Sequence, residues 1–156
     1  MTSLNDIDLN KYLLKCIEVA RETSEEITHY YVGALVLDAT NKIVSRGYKK
    51  IIEGTKLTVH AERIALEKAG DLAYGGTLFT TFEPCGKIKG PTQIFKSCAE
   101  LIVDYKIANV VYGVKDKNQK FIYTGSDYLR KRGVNVVDCS SLEQYIKREA
   151  HMKSKK

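Results

Sequence analysis

The chain has 156 residues, of which 44% are hydrophobic and 28% are charged, and this composition is typical of a globular domain of ordinary size. It contains no apolar run of about eighteen residues, so the sequence indicates no membrane-spanning helix. Residues 1–10 are polar and lack the apolar segment of a secretory signal. We therefore expect one domain over residues 1–156, located in the cytoplasm and not in a membrane.

The formal net charge of +6 is concentrated at the C-terminus, from about residue 147 onward. The basic residues of this tail are Lys147, Arg148, Lys153, Lys155 and Lys156. Such a tail most often remains solvated, and contact with RNA or a phosphorylated substrate is the alternative. The four cysteines are expected to be metal ligands or buried thiols, because disulfides are rare in cytoplasmic proteins.

The hydrophobic pattern predicts helices and strands in alternation after an opening hairpin. Apolar residues at helical spacing in the first 26 residues predict a helix, whereas the apolar run V-G-A-L-V-L predicts a strand buried on both faces. The predicted helices cover residues 6–26, 60–69, 93 or 94–105, 125–132 and 142 onward; the predicted strands cover 32–37, 43–48, 77–82, 109–114 and 135–137. This order predicts an α/β fold, a three-layer α/β/α sandwich with a mixed central sheet.

Three residues able to bind a soft divalent metal lie where predicted elements begin or end. His60 opens a helix, Cys85 follows a strand, and Cys98 lies early in the next helix. One imidazole and two thiolates favour Zn²⁺ over magnesium or calcium. Three protein ligands leave one tetrahedral position open, which is typical of catalytic rather than structural zinc. Cys139 is the alternative third thiol, but it follows the last short strand and lies far from the other two residues in sequence.

Glu62 lies two residues after His60, so it can be close to the metal without binding it. This position suits a proton carrier between a metal-activated water and a substrate. The combination resembles H-x-E…P-C-x-x-C, the signature of zinc-dependent deaminases, in which the glutamate is the acid and base and is not a ligand. Here residues 86–97 separate the two cysteines, whereas the common form has two residues between them.

These segments resemble the cytidine deaminase superfamily, and within it most closely the riboflavin-pathway pyrimidine deaminases of the RibD type. The resemblance is carried by Y-V-G-A-L-V-L, H-A-E-R-I-A-L-E-K-A-G, G-G-T-L-F-T-T-F-E-P-C and the stretch that begins C-A-E-L-I-V-D-Y. It implies deamination of an amino-bearing ring carbon by a zinc-activated water, with Glu62 moving the protons. The backbone N–H of Ala61 is expected to stabilise the developing oxygen, since it follows a ligand at a helix start.

The resemblance also suggests a substrate pocket and self-association into a homo-oligomer. Pocket candidates from the sequence are Tyr31, Gly33, Thr58, Glu83, Lys87 and Lys89. The two lysines, in the insert between the cysteines, would contact a substrate phosphate or else belong to a solvated loop. Tyr31 would stack on a base or else pack in the core, and Gly33 would allow a ligand to approach or else mark a bulge.

Two departures from RibD-type domains concern this pocket. Tyr30-Tyr31 stands where the family has asparagine-proline, and the insert lacks the S-H-x-G-R-T-P-P pattern. The alternative substrates are therefore another nucleobase, nucleoside or nucleotide, or a tRNA adenosine. A non-catalytic zinc-binding scaffold is the alternative from another functional class, although such a domain has no use for Glu62. Any reductase step of the pathway is expected to need a separate protein.

Overall fold

The computed structural model describes Leu4 and residues 8–22, 30–55, 58–88, 96–116 and 121–152. Its helices are α1 (Leu9–Ala20), α2 (Ala61–Ala69), α3 (Cys98–Asp104), α4 (Gly125–Lys131) and α5 (Glu143–Met152). Its strands are β1 (Gly33–Leu37), β2 (Ile43–Tyr48), β3 (Lys50–Ile51), β4 (Thr58–Val59), β5 (Thr77–Phe82), β6 (Lys87–Ile88), β7 (Asn109–Val114), β8 (Phe121–Tyr123) and β9 (Asn135–Asp138).

The main sheet has five strands in the order β2-β1-β5-β7-β9. Strand β1 pairs antiparallel with both β2 and β5, whereas β5, β7 and β9 run parallel. The predicted hairpin and the predicted mixed sheet are therefore both confirmed. All five residues of β1 are buried, as expected for a strand covered on both faces.

Helices cover both faces of this sheet. Alternate residues of β1 point to opposite faces, so Ala34 and Val36 pack with α2, α3 and α4, while Leu35 and Leu37 pack with α1. Helix α5 lies on the α1 side, where Ile146 contacts Ile17 and Val114. The predicted three-layer α/β/α sandwich is thus confirmed. Among the described residues, no helix is both long enough and apolar enough to cross a membrane.

Several element ends differ from the predictions. Helix α1 begins after Asp8, whose carboxylate accepts a hydrogen bond from the Lys11 backbone N–H at 3.2 Å, so it is shorter than predicted. The polar connection predicted for residues 49–58 contains β3 and β4, which pair with each other. Helix α3 begins at Cys98 because Ser97 and Glu100 form a capping box immediately before it.

Gly33 lies at a close contact between α1 and the sheet. A Cβ atom at this position would lie 1.9 Å from the Cys16 backbone oxygen and 2.7 Å from the Ala20 backbone nitrogen. The Gly33 backbone N–H donates a hydrogen bond to the Thr81 hydroxyl at 3.3 Å, which fixes the strand against its neighbour. Only glycine therefore allows α1 to pack this closely on β1.

We expect Gly33→Ala to destabilise the protein by about 3 kcal/mol, because α1 must move away from β1 to admit the methyl group. The measurement is the free energy of unfolding in urea. Gly54→Ala is the control. Gly54 has a φ of +78°, and a Cβ atom added there would meet nothing within 4 Å. We therefore expect this variant to lose only about 1 kcal/mol of unfolding free energy, through backbone strain alone. Equal losses in the two variants would contradict the close-contact explanation.

Candidate active site

A cavity of about 380 Å³ opens where β5 and β7 end and α2 begins. Openings beyond the carboxyl ends of strands are common ligand sites in α/β sheets. The residues that line it are Tyr30, Val32, Lys49, His60, Ala61, Glu62, Phe82, Glu83, Cys85, Val114, Lys115, Asp116 and Lys147. The cavity therefore contains two of the three predicted metal ligands together with Glu62.

The three predicted ligands meet at this position, and their ligand atoms all lie within 4.8 Å of one another. His60 is the residue before α2, Cys85 follows β5 in the chain, and Cys98 is the first residue of α3. The Nδ1 atom of His60 lies 3.8 Å from Cys85 Sγ and 3.3 Å from Cys98 Sγ. His60 is exposed, Cys85 is half-buried and Cys98 is buried, so the group is reached by solvent from the histidine side.

The spacing and chemistry of these atoms fit zinc. Zinc bonds of about 2.1 Å to nitrogen and 2.3 Å to sulfur place tetrahedral ligands roughly 3.5–3.8 Å apart. The two measured distances from His60 Nδ1, 3.3 and 3.8 Å, are close to that spacing. The donor set is also the soft nitrogen and sulfur set that zinc prefers. The group can therefore hold a zinc ion after small side-chain adjustments.

The hydrogen bonds within the group favour a thiolate on Cys85. The pKa of Cys85 is lowered well below its ordinary value, first by the hydrogen bond from the Cys98 side chain and then by His60. The backbone N–H of Cys98 also donates to Cys85 Sγ at 3.2 Å. The pKa of His60 is raised by its hydrogen bond with Cys85. A group that already stabilises negative charge on sulfur is suited to binding a cation.

Glu62 is buried in the first turn of α2, with 4% of its surface exposed. Burial raises the pKa of its carboxyl group to about 7, because the charged form loses its contact with water. Ala61, between His60 and Glu62, is also buried and lines the cavity. Backbone N–H groups in the first turn of a helix have no partner within the helix, so this end of α2 offers donors to a ligand.

The segment that carries Cys85 is fixed by its neighbours. Glu83 is buried, and its carboxylate accepts hydrogen bonds from the Asp116 backbone N–H at 3.0 Å and the Ser126 backbone N–H at 3.1 Å. The Ser126 hydroxyl also donates to it, at 2.6 Å. Beyond the cysteine, the Ala99 backbone N–H donates to the Cys85 carbonyl oxygen at 3.1 Å.

The structure does not place Tyr31, Gly33 or Thr58 in the lining of the cavity. Tyr31 is 3% exposed and packs against Ala20, and Gly33 faces α1 as described above. Thr58 lies in β4, paired with Ile51. For Tyr31 and Gly33 the reason is the alternation of side chains along an extended chain. Their neighbours Tyr30 and Val32 point the other way and line the cavity instead.

Of the other three predicted pocket residues, Glu83 lines the cavity, whereas Lys87 and Lys89 lie partly or wholly outside the described residues. Lys87 lies in β6, and its side chain is outside the described residues, as is the whole of Lys89. Among the described residues, the lysines that line the cavity are Lys49, Lys115 and Lys147. These three lysines were not predicted as pocket residues from the sequence, although Lys49 and Lys115 directly follow the predicted strands 43–48 and 109–114. Nothing in the sequence pattern brings Lys147 of α5 to this end of the sheet.

Known proteins share this fold and site. Residues 7–114 match the family described as the cytidine and deoxycytidylate deaminase zinc-binding region. The chain is 31% identical over 145 residues to diaminohydroxyphosphoribosylamino-pyrimidine deaminase of Schizosaccharomyces pombe, covering 90% of this chain and 34% of that protein. It is 38% identical over 106 residues to the enzyme of the same name from Buchnera aphidicola, covering 67% of this chain and 65% of that protein.

A solved structure agrees with these relatives. The diaminohydroxyphosphoribosylaminopyrimidine deaminase/5-amino-6-(5-phosphoribosylamino)uracil reductase of Thermotoga maritima superposes with a TM-score of 0.73 at 28% identity, over 92% of this chain and 39% of that one. The chain thus spans about a third of the length of the first curated relative and somewhat more of this structure. By the match over residues 7–114, the chain belongs to the cytidine and deoxycytidylate deaminase family of zinc-binding proteins.

Proposed function

We propose that this protein is a zinc-dependent hydrolytic deaminase acting on an amino-bearing carbon of an aminopyrimidine ring. The observation that carries the proposal is the cluster of His60, Cys85 and Cys98 ligand atoms within 4.8 Å, with the buried Glu62 beside it in the same cavity. A structural zinc site closes all four positions with protein ligands, whereas this group supplies three. The fourth position is left for water.

The three side chains His60, Cys85 and Cys98 would hold the zinc ion. When bound, zinc lowers the pKa of a coordinated water from about 16 to about 7 and so supplies a nucleophile at neutral pH. The exposed side of His60 provides the path by which water and substrate enter. This proposed ligand set leaves Cys139 with a separate role, because its thiol donates a hydrogen bond to Asn10 at 3.3 Å.

Glu62 would move the protons of the reaction. It accepts a proton from the attacking water and transfers it to a ring nitrogen. It then takes the remaining proton from the new hydroxyl group on the ring carbon and gives it to the leaving amine. Burial raises the pKa of this carboxyl group, which favours its accepting a proton near neutral pH. The backbone N–H of Ala61 would donate to the new oxygen on the ring. The carbon–nitrogen bond breaks, one water is consumed and one ammonia is released.

The substrate that we propose is the diaminopyrimidine ribotide of riboflavin biosynthesis. The names of the relatives from S. pombe and B. aphidicola support it. The cavity offers suitable contacts: Tyr30 and Phe82, whose ring centroids lie 5.1 Å apart, form an aromatic wall against which a pyrimidine can pack. The side-chain amines of Lys49, Lys115 and Lys147 can form charged hydrogen bonds with the phosphate of the ribotide.

A substrate panel tests this assignment against the alternatives. Ammonia release would be measured with the ribotide, cytidine, dCMP, cytosine, guanine, adenosine and a tRNA anticodon stem. Turnover of the ribotide alone supports the proposal, and turnover of another compound keeps the chemistry but replaces the substrate. Silence across the panel with zinc bound would leave either a substrate outside the panel or a non-catalytic scaffold role. Three further expectations remain predictions: the cytoplasmic location, the single domain and the homo-oligomer. Light scattering, which measures the mass of the particle in solution, tests the homo-oligomer.

We expect the purified protein to bind one equivalent of zinc, and Cys98→Ser to lose most of that zinc because the hydroxyl is a poor ligand for this metal. The measurement is metal content by mass spectrometry after dialysis against a mild chelator. Cys139→Ser is the matched control and should retain one equivalent. Zinc loss in Cys139→Ser with retention in Cys98→Ser would assign the third ligand to the other thiol.

We expect Glu62→Gln to lower the rate of ammonia release by about 10²–10⁴-fold, because an amide cannot carry the proton. Zinc content should remain at one equivalent. Glu67→Gln, the same change at an exposed position of α2, should retain full activity. If Glu62→Gln lost its zinc, the carboxylate would be supporting the metal site rather than transferring protons.

We expect Lys147→Gln to raise KM for the ribotide about tenfold, the size expected for one partly screened charged hydrogen bond. KM for the unphosphorylated riboside should change little, because that compound lacks the anionic group. Lys131→Gln, on the exposed part of α4, is the control and should change neither value. Equal effects on both substrates would show that Lys147 does not recognise the phosphate.

A further inference from the structure

Glu83 lines the cavity, yet its carboxylate is already held by the protein. The Oε1 atom accepts the Asp116 backbone N–H, and Oε2 accepts both the backbone N–H and the hydroxyl of Ser126. Glu83 is 4% exposed and Ser126 is 3% exposed, so these bonds are shielded from water. One side chain thereby connects the end of β5 to the segment after β7 and to the first turn of α4.

This connection comes where backbone pairing ends. The β5–β7 pairing reaches Phe82 opposite Val114, and the Glu83 N–H still donates to the Val114 oxygen at 2.8 Å. Pro84 has no N–H to continue the pattern. Beyond this point, the hydrogen bonds of the Glu83 carboxylate connect the two segments in place of backbone pairing between strands.

Two glycines show how closely the following segment packs. A Cβ atom on Gly125 would lie 1.8 Å from the Pro84 carbonyl oxygen. One on Gly86 would lie 2.1 Å from the Tyr123 oxygen. The backbone on either side of Cys85 is therefore in close contact with the chain at the start of α4. The Glu83–Ser126 hydrogen bonds hold these two segments together.

We propose that Glu83 is a positioning residue that fixes Cys85 as a zinc ligand, and that it is not a substrate contact. The inference rests on the proposed zinc site. Cys85 receives hydrogen bonds from Cys98 N–H on its sulfur and from Ala99 N–H on its carbonyl oxygen, so α3 orients it from one side. Glu83, two residues earlier, anchors it from the other side.

The alternative is that Glu83 hydrogen-bonds an amino group of the substrate, as its place in the cavity lining would allow. That role would draw the carboxylate away from Asp116 and Ser126 and leave buried backbone N–H groups without partners. An unsatisfied buried donor is unfavourable. The three existing hydrogen bonds therefore favour positioning over binding.

Glu83→Gln separates the two roles. In either orientation of the glutamine amide, its NH₂ group faces a backbone N–H donor, that of Asp116 or that of Ser126. At least one of the present hydrogen bonds is therefore lost, while the size of the side chain is conserved. Loss of an outer-shell partner typically weakens metal binding about 10- to 100-fold. We expect a zinc dissociation constant raised by that factor, measured by chelator competition, and a ribotide KM within about twofold of the original once zinc is saturating.

Glu67→Gln is the matched control and should bind zinc as the original protein does. Unchanged zinc affinity with a KM raised tenfold or more in Glu83→Gln would overturn the proposal in favour of a substrate contact. Unchanged zinc affinity with only a lower urea midpoint would also overturn it, since the role would then be purely structural. Failure of the original protein to bind zinc would instead refute the proposed function.

Ser126→Ala provides a second variant if Glu83→Gln does not fold. It removes the 2.6 Å hydroxyl bond and keeps both backbone N–H donors, so zinc binding should weaken several-fold. Zinc affinity equal to that of the original protein in this variant would again contradict the proposal. Partial restoration of zinc affinity in Ser126→Thr, which returns a hydroxyl, would support it.

Discussion

The proposed site depends on one constraint: three candidate ligand atoms from separate segments must lie close enough to bind one metal ion. The start of α2, the end of β5 and the start of α3 meet at the same edge of the sheet, which brings His60, Cys85 and Cys98 within 4.8 Å. Parallel pairing of β5 with β7 places α3 as the crossover between them, so the helix begins near the end of β5. A metal at that edge would link the strand to both helices and leave one position open to solvent.

Two glutamates border this group, and their surroundings give them different chemistry. Glu62 is buried in the first turn of α2, where loss of water raises its carboxyl pKa to about 7. Glu83 is equally buried, but two backbone N–H groups and a hydroxyl hold its oxygens. A carboxyl group poised between its two protonation states can move a proton, whereas one that is engaged by fixed donors can hold a loop. By our two proposals, the same type of side chain serves proton transfer at position 62 and anchoring at position 83.

The layer formed by α1 and α5 contributes one residue, Lys147, to the described lining of the cavity. Gly33 lets α1 approach the sheet, and Tyr31 is buried behind the strand while Tyr30 faces the cavity. Helix α5 is held by Ile146, by the ion pair between Arg21 and Glu149, and by the Tyr31 N–H bond to the Ala150 oxygen. These contacts bring Lys147 to the cavity from a part of the chain beyond the matched family region. Helix α5 therefore supplies a cavity residue that is separate in sequence from the candidate metal ligands.

The sequence by itself determined the order of the helices and of the five strands of the main sheet, because apolar periodicity is a local property, and it indicated the candidate zinc and proton-transfer residues through the H-x-E and P-C motifs. Strands β2, β5 and β7 were predicted with their observed ends. Only the tertiary structure decided which side chains face the cavity. Tyr31 and Tyr30 differ by a single step of side-chain alternation, and the hydrophobic pattern of a buried strand does not reveal which face meets a ligand. Likewise, the hydrogen-bond partners of Glu83 and the position of Lys147 in the cavity lining depend on contacts between segments that are distant in sequence. No local pattern encodes such contacts.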